Sequence, residues 1–372
     1  SNLKRTALSC TLLTTLLTSA SAAREISGTQ NAFAINGETV TIKNGATVNK
    51  GEPQINGYKA SGSSIAVGQN GKESSITIEE GGKLNGRIYT RAAKIKDIII
   101  NGSIGAGPSN ASIINFRGTT IEKIEVGQTG VLEGGIINSW FKNGGTASGN
   151  SKIDNIDIKG KVKGGIKNQS GTMQTITITG SVSGGIQNDD IMGTLKIENG
   201  GSVSGDIINN KTMQSISVSN GTVNGNIVNS GQNANTGNIS ITGTSNVGGS
   251  IINQNGANFT NNIILDQNSK LGGISNTQGS TMSGQLTLNG EVGAINNAGK
   301  FDSTLTLSNK VGEINNAEGG TISNDITINQ NGSVGAINNA GTMQAITNNG
   351  TGTLTLTNSG GTIDKITNGT GA

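Results

Sequence analysis

The residues of this chain that could do chemistry are few, and their types exclude most of it. Histidine is absent, which removes the commonest general base and the commonest metal ligand together. A zinc site or a Ser-His-Asp hydrolase is therefore not available, and no metal or cofactor is expected. Carboxylates are scattered. The nearest approaches to a pair are Asp154-Asn155-Ile156-Asp157 and Asp189-Asp190, without the repeated Asp-containing pattern of a calcium site. A solvated face or a turn is the simpler reading of both, and the chain is read as non-catalytic, with a glycan-active enzyme as the alternative.

One group of side chains breaks the monotony. Arg87, Tyr89 and Arg91, then Phe116 and Arg117, then Trp140, Phe141 and Lys142 hold the only tryptophan and every arginine after Arg24. Arginine and aromatic clusters combine stacking area with directional donors, as protein-binding and sugar-binding patches do. The competing reading is structural: these side chains cover a loop or cap irregular early coils.

What positions them is a repeat. The element small-x-Ile-x-Asn, its first residue a glycine in each case, recurs with its Asn at Asn168, Asn188, Asn209, Asn229, Asn253, Asn276, Asn297, Asn316 and Asn339, spaced by about 21 residues. Asn115 and Asn138 keep the element, and Thr90 stands where an Asn is expected. Within a unit, runs such as Thr175-Ile176-Thr177-Ile178 and Thr304-Leu305-Thr306-Leu307 alternate with period two, the mark of a strand with one buried face. Three short strands per unit cannot enclose their own aliphatic row, whereas stacking on the next unit does. The fold expected is all-β, a right-handed parallel β-helix of 13 to 16 coils, roughly 60 to 75 Å long at the ~4.8 Å sheet spacing. The Asn residues form a ladder at one corner, suited to it by tolerance of left-handed backbone angles and by their amides. A leucine-rich horseshoe shares the period but not the Gly/Ser/Thr/Ile return path.

The start of the chain reads as an address. Lys4 and Arg5, a short apolar stretch and Ala20-Ser21-Ala22-Ala23 make a secretory signal peptide over residues 1–23. Residues 24–85 then form an N-terminal cap with irregular first coils, and 86–372 the regular repeats. The only cysteine, Cys10, lies in the leader. Removing the leader takes the formal charge from +3 to about +1, so strong steering to nucleic acid is not expected.

A signal peptide, a cysteine-free mature chain and long Gly/Asn/Ser/Thr-rich coils resemble the passenger region of a Gram-negative autotransporter, the type V secretion route. The resemblance is one of architecture and composition and covers the whole mature chain. It implies export to the cell surface, the outer membrane or the medium, and an adhesin-like or stalk role. It also implies a translocating outer-membrane β-barrel, which this chain does not contain. Partners would be a protein or glycan on a host or neighbouring cell. Self-association along the Asn and Thr rows is a further expectation, since such rows are self-complementary hydrogen-bonders. A third reading takes the outward row Thr177, Ser217, Ser240, Thr287, Thr306, Thr327 and Thr355, interrupted by Lys196, as an ice-binding face.

Overall fold

In the computed structural model, the structure describes residues 22–69, 71–139 and 151–371. Period-two alternation becomes strand where it was expected. In Thr172–Ile178, Ile176 and Ile178 are fully buried while Thr175 and Thr177 are half-buried. Each strand then pairs in parallel with its counterpart one coil on. The inward column Ile158, Ile178, Ile197, Val218, Ile241, Leu265, Leu288, Leu307 and Ile328 stays in register throughout. The result is an all-β parallel solenoid of about 15 turns, with coils about 22 residues apart.

One apolar core runs from Ile26 to Ile346 without interruption. Burying each such aliphatic side chain contributes about 1.5–3 kcal/mol, and the neighbouring coils supply the burial. Coils therefore stabilise one another, as nearest-neighbour stacking requires. The stack already includes the early region: Ala22–Ile26 pairs with Glu38–Ile42, which pairs with Glu73–Ile78. Ala22 and Ala23, the end of the expected leader, are thus the first residues of the first strand, and the rest of the leader lies outside the described residues.

Two large sheets share the coil. Up to Thr242 the sixteen-stranded sheet carries long strands such as Ile191–Glu198 and Thr212–Ser219. The twenty-four-stranded sheet carries two short ones per coil, such as Ser181–Val182 and Ile186–Asn188. From Lys270 the pattern inverts. Lys270–Asn276, Glu291–Asn297, Lys310–Asn316 and Ser333–Asn339 are continuous in the twenty-four-stranded sheet. The other side splits into pairs such as Thr281–Met282, in a separate six-stranded sheet, and Leu286–Leu288.

A one-residue change in spacing explains the inversion. Val162 and Ile166, Val182 and Ile186, and Val203 and Ile207 are four apart, while Met173 and Ile176, or Met213 and Ile216, are three apart. Later, Leu271 and Ile274, Val292 and Ile295, and Val311 and Ile314 are three apart, while Met282 and Leu286, or Phe301 and Leu305, are four apart. A fourth step between two inward side chains must be carried outside the ladder, which ends one strand and starts another. Asn246–Gln254 makes the change: Val247 and Ile251 are four apart, yet the strand is continuous, and its pairing with Lys270–Asn276 shifts register between Val247 and Ser250. The extra residue is absorbed there as a bulge. Where the bend lies at paired glycines, it brings backbones close: a Cβ on Gly184 would stand 2.6 Å from the Gly165 nitrogen.

The Asn ladder forms inside the coil. Asn115, Asn138, Asn168 and Asn188 each donate from Nδ2 to Oδ1 of the next rung's Asn at 2.8 Å. Asn209 donates to Thr236 Oγ1 at 2.9 Å, and that hydroxyl donates to Asn229 Oδ1 at 2.8 Å. Asn229, Asn253, Asn276, Asn297, Asn316 and Asn339 continue the chain at 2.8–3.0 Å and pass it to Asn358. Thr90 starts it, donating to Asn115 Oδ1 at 2.9 Å. Many of these amides also donate to backbone carbonyls, as Asn276 does to Ser280 and Lys300, which satisfies polar groups that would otherwise be costly to bury. The backbone argument for Asn is corrected here. Among the described residues the asparagines at positive φ are Asn56, Asn110, Asn199, Asn220 and Asn255, none of them in the ladder. The ladder selects Asn for its side-chain amide and leaves the backbone extended.

Candidate functional site

Four rungs of the twenty-four-stranded sheet carry the site: Ser63–Val67, Arg87–Arg91, Ala111–Phe116 and Gly135–Ser139. Their register sets Tyr89 beside Ala66 and Ile114, Ile114 beside Ile137, and Arg91 beside Phe116. An outward row of Ala66, Tyr89, Ile114 and Ile137 is too apolar for a solvated face, and it is covered. Gln54–Ile55 and Tyr58–Lys59 form a hairpin, the one antiparallel strand pair among the described residues. Its turn is Asn56-Gly57, both at positive φ, as a tight two-residue hairpin requires. Gly51 and Ser63 close the base through reciprocal backbone hydrogen bonds of 2.9 and 3.2 Å. Ile55 and Ala60 from this insertion join Ala66, Tyr89, Ala111, Ile114 and Ile137 in a second apolar cluster outside the main core.

Arg87 fastens the insertion. It is 7 % exposed, and its Nη1 and Nη2 donate to the carbonyls of Pro108 and Ser61, each at 3.1 Å. Burial pulls its guanidinium below the ordinary arginine value. Tyr89 is also buried, and its hydroxyl has no hydrogen-bond partner among the described residues. Burial drives that phenol well above the usual tyrosine range. The Tyr58 ring stacks on Tyr89, with centroids 5.5 Å apart and planes 17° apart, and Tyr89 meets Phe116 at 5.9 Å. The Arg91 guanidinium lies 4.6 Å from the Tyr58 centroid and that of Arg87 lies 5.4 Å from the Tyr89 centroid, both cation–π distances.

The residues singled out in sequence therefore divide. Arg87 and Tyr89 are internal and hold the hairpin to the solenoid. Arg91 and Phe116 are half-buried and Arg117 is exposed. Arg117 and Ala92 both sit in the left-handed region, at φ +49° and +50°, and the Ala92 N–H donates to the Arg117 carbonyl at 3.0 Å. Trp140, Phe141 and Lys142 lie outside the described residues. Tyr58, 41 % exposed, completes the surface and was not picked out in sequence. Its signal was the Asn-Gly pair between Ile55 and Tyr58.

The carboxylates are tied to neighbours. Asp154 pairs with Lys152 at 2.6 Å and Asp157 with Lys123 at 3.9 Å. Asp190 accepts from the Gly171 N–H at 2.7 Å and pairs with Lys211. Asp189 accepts from Gln187 and Asn210. The outward threonine row is also resolved by register. Thr177, Lys196, Ser217 and Ser240 align, Ile264 interrupts them, and Thr287, Thr306, Thr327, Thr347 and Thr367 follow. Thr355 is not in this row; Thr347 occupies the position assigned to it.

No protein-family model matches the chain, and no curated protein matches it significantly. The fold and the surface chemistry therefore carry the functional argument.

Proposed function

We propose that this chain is the rod of an exported, surface-displayed protein, an adhesin-like passenger without catalysis that presents its aromatic–arginine patch to another cell. The observation carrying this reading is the unbroken axial stack. About 15 turns at ~4.8 Å each give a stiff rod on the order of 70 Å long. The patch of Tyr58, Arg91, Phe116 and Arg117 lies in the early coils, toward one end. A rod of this kind serves by reach, and weak contacts made by many copies add through multivalency. The partner is a surface protein or glycan of a host or neighbouring cell, and the resemblance to autotransporter passengers supplies the export route and the outer-membrane barrel.

The test uses cells displaying residues 22–372. They should adhere to target cells, and replacing Tyr58, Arg91, Phe116 and Arg117 together by Ala should abolish adhesion while the melting temperature stays within a few degrees. Undiminished adhesion by that variant would refute the patch as the contact surface.

One observation favours a second reading. The five consecutive threonines from Thr287 to Thr367 align in register at the rung spacing on one sheet, as an ice-contacting row would. Thermal hysteresis of the purified chain, lost in Thr306→Tyr and Thr327→Tyr, would support that reading. Its absence would remove it.

A further inference from the structure

We propose that the patch binds an acidic glycan, a polysaccharide bearing carboxylate or sulfate groups; this rests on the adhesin reading and specifies its ligand. Four arginines lie among the described residues, and two are spent internally. Arg24 pairs with Glu38 at 4.0 Å, and Arg87 donates to two backbone carbonyls. Arg91 and Arg117 have no carboxylate within ion-pair distance among the described residues, although lysines of nearby coils find theirs, Lys43 with Glu25 and Glu79 and Lys123 with Glu125. The two free guanidinium groups belong to adjacent rungs, since Arg91 is in register with Phe116, the residue before Arg117.

The geometry of Arg91 makes it a usable donor. Its guanidinium carbon lies 4.6 Å from the Tyr58 ring centroid, a cation–π contact that leaves a planar fork of N–H donors to reach an oxyanion in two-point fashion. Beside it, exposed Tyr58 offers apolar ring surface, backed from below by Tyr89. A sugar ring presents an apolar C–H face and carries its acidic group at the rim, so one monosaccharide can lie on the aromatic surface and place its anion at the arginine edge. Exposed Lys59 and Lys94, neighbours of Tyr58 and Arg91 in the sequence, add attraction for a polyanion. An acidic peptide would satisfy the arginines but has no rigid apolar face to match the rings, which favours the glycan.

The experiment measures binding of residues 22–372 to immobilised heparin, desulfated heparin, carboxyl-reduced heparin and neutral dextran, with adhesion to target cells measured on the same protein. Heparin should bind and dextran should not, and the derivative that loses binding identifies sulfate or carboxylate as the recognised group. Replacing Arg91 and Arg117 together by Ala should weaken heparin binding by about tenfold or more, the scale of losing charge-assisted hydrogen bonds. Replacing both by Lys should restore only part of it. The Lys167→Ala, Lys196→Ala double variant, which removes as much charge elsewhere on the rod, should bind as the parent does. Equal binding by the Arg-to-Ala variant, equal binding to dextran, or binding only to phosphatidylserine vesicles or acidic peptides would overturn the proposal. Patch-dependent adhesion without heparin binding defeats the glycan proposal and leaves the adhesin reading standing. Adhesion indifferent to the patch defeats the adhesin reading itself.

Discussion

The coils before Thr242 and those after Lys270 enclose the same kind of core with the bend on opposite sides. In the first region the inward residues on either side of Gly184-Gly185 are four apart and the strand breaks there. In the second the inward residues around Gly293-Ala294 are three apart and the strand runs through, while the break moves to Ser283-Gly284-Gln285. The two regions differ in surface as well. Glu125 and Asp157 occupy the outward column of the sixteen-stranded sheet early on, and Thr287, Thr306 and Thr327 occupy it later. The lesson is that a solenoid fixes the sum of its spacings and the identity of its inward residues, whereas the position of its corner is set by a single residue moved from one arc to another.

The sharpest way to break this comparison is to change that residue count. Inserting one glycine between Gly272 and Gly273 would give a four-residue spacing within rungs built on three. Register would be lost at Leu271, Ile274 or Asn276. Exposing even one buried aliphatic costs about 1.5–3 kcal/mol, so denaturant unfolding should report a loss of about 3 kcal/mol or more. Deleting Gly248 is the converse. The bulged Asn246–Gln254 strand would then acquire the spacing of the coils that follow, and stability should change by less than about 1 kcal/mol. If both changes cost the same, spacing does not set the bend.

The ladders give the next largest effect. Asn276→Ala removes a buried amide that accepts from Asn253 and donates to Asn297 Oδ1, breaking the ladder on both sides, a loss of about 1–3 kcal/mol. A second, solvent-facing ladder links Asn296, Asn315 and Asn338 at 2.9 and 2.8 Å. There Asn315→Ala should change stability by no more than about 0.5 kcal/mol. Thermal melts of the two variants separate an internal from a surface role.

Charge gives the smallest effect. The Glu125 carboxylate is held below the ordinary carboxylate range by Lys123 and Lys159. Its stabilisation is therefore present above the unfolded carboxylate value, near pH ~4.3, and is lost as pH falls through the lower folded value. Solvent screening limits it to less than about 1 kcal/mol. Hydrogen exchange on acidification through that window should loosen Thr120–Val126 more than Leu286–Leu288, which has threonine at the corresponding position.

Much of the fold was legible because inward residues are aliphatic and repeat. Ile166, Ile186 and Ile207 announce a common wall, and Asn168, Asn188 and Asn209 a common corner. The inversion was less legible, since a shift of one residue leaves the period unchanged and acquires meaning only once strand continuity is known. The candidate site was legible in composition and not in burial. Arg87 and Tyr89 resemble surface binders by type, but the Gln54–Lys59 hairpin, remote in the repeat, lies over them. Thr355 was misplaced for a different reason: Thr353-Leu354-Thr355-Leu356-Thr357 alternates like the strands of the row, yet Leu356–Asn358 pairs with Ser333–Asn339 in the twenty-four-stranded sheet, and the row continues at Thr347.

The central claim, that coils stack in fixed register along one axis, is tested most directly by pulsed electron spin resonance between paired nitroxides on the sixteen-stranded sheet. With Cys10 removed, labels at Thr177 and at Ser217, Thr287 or Thr327 are separated by two, five and seven rungs. Distances should rise linearly by about 4.8 Å per rung, to roughly 10, 24 and 34 Å. Distances that level off or fall with rung number would contradict the stacked rod and everything inferred from it.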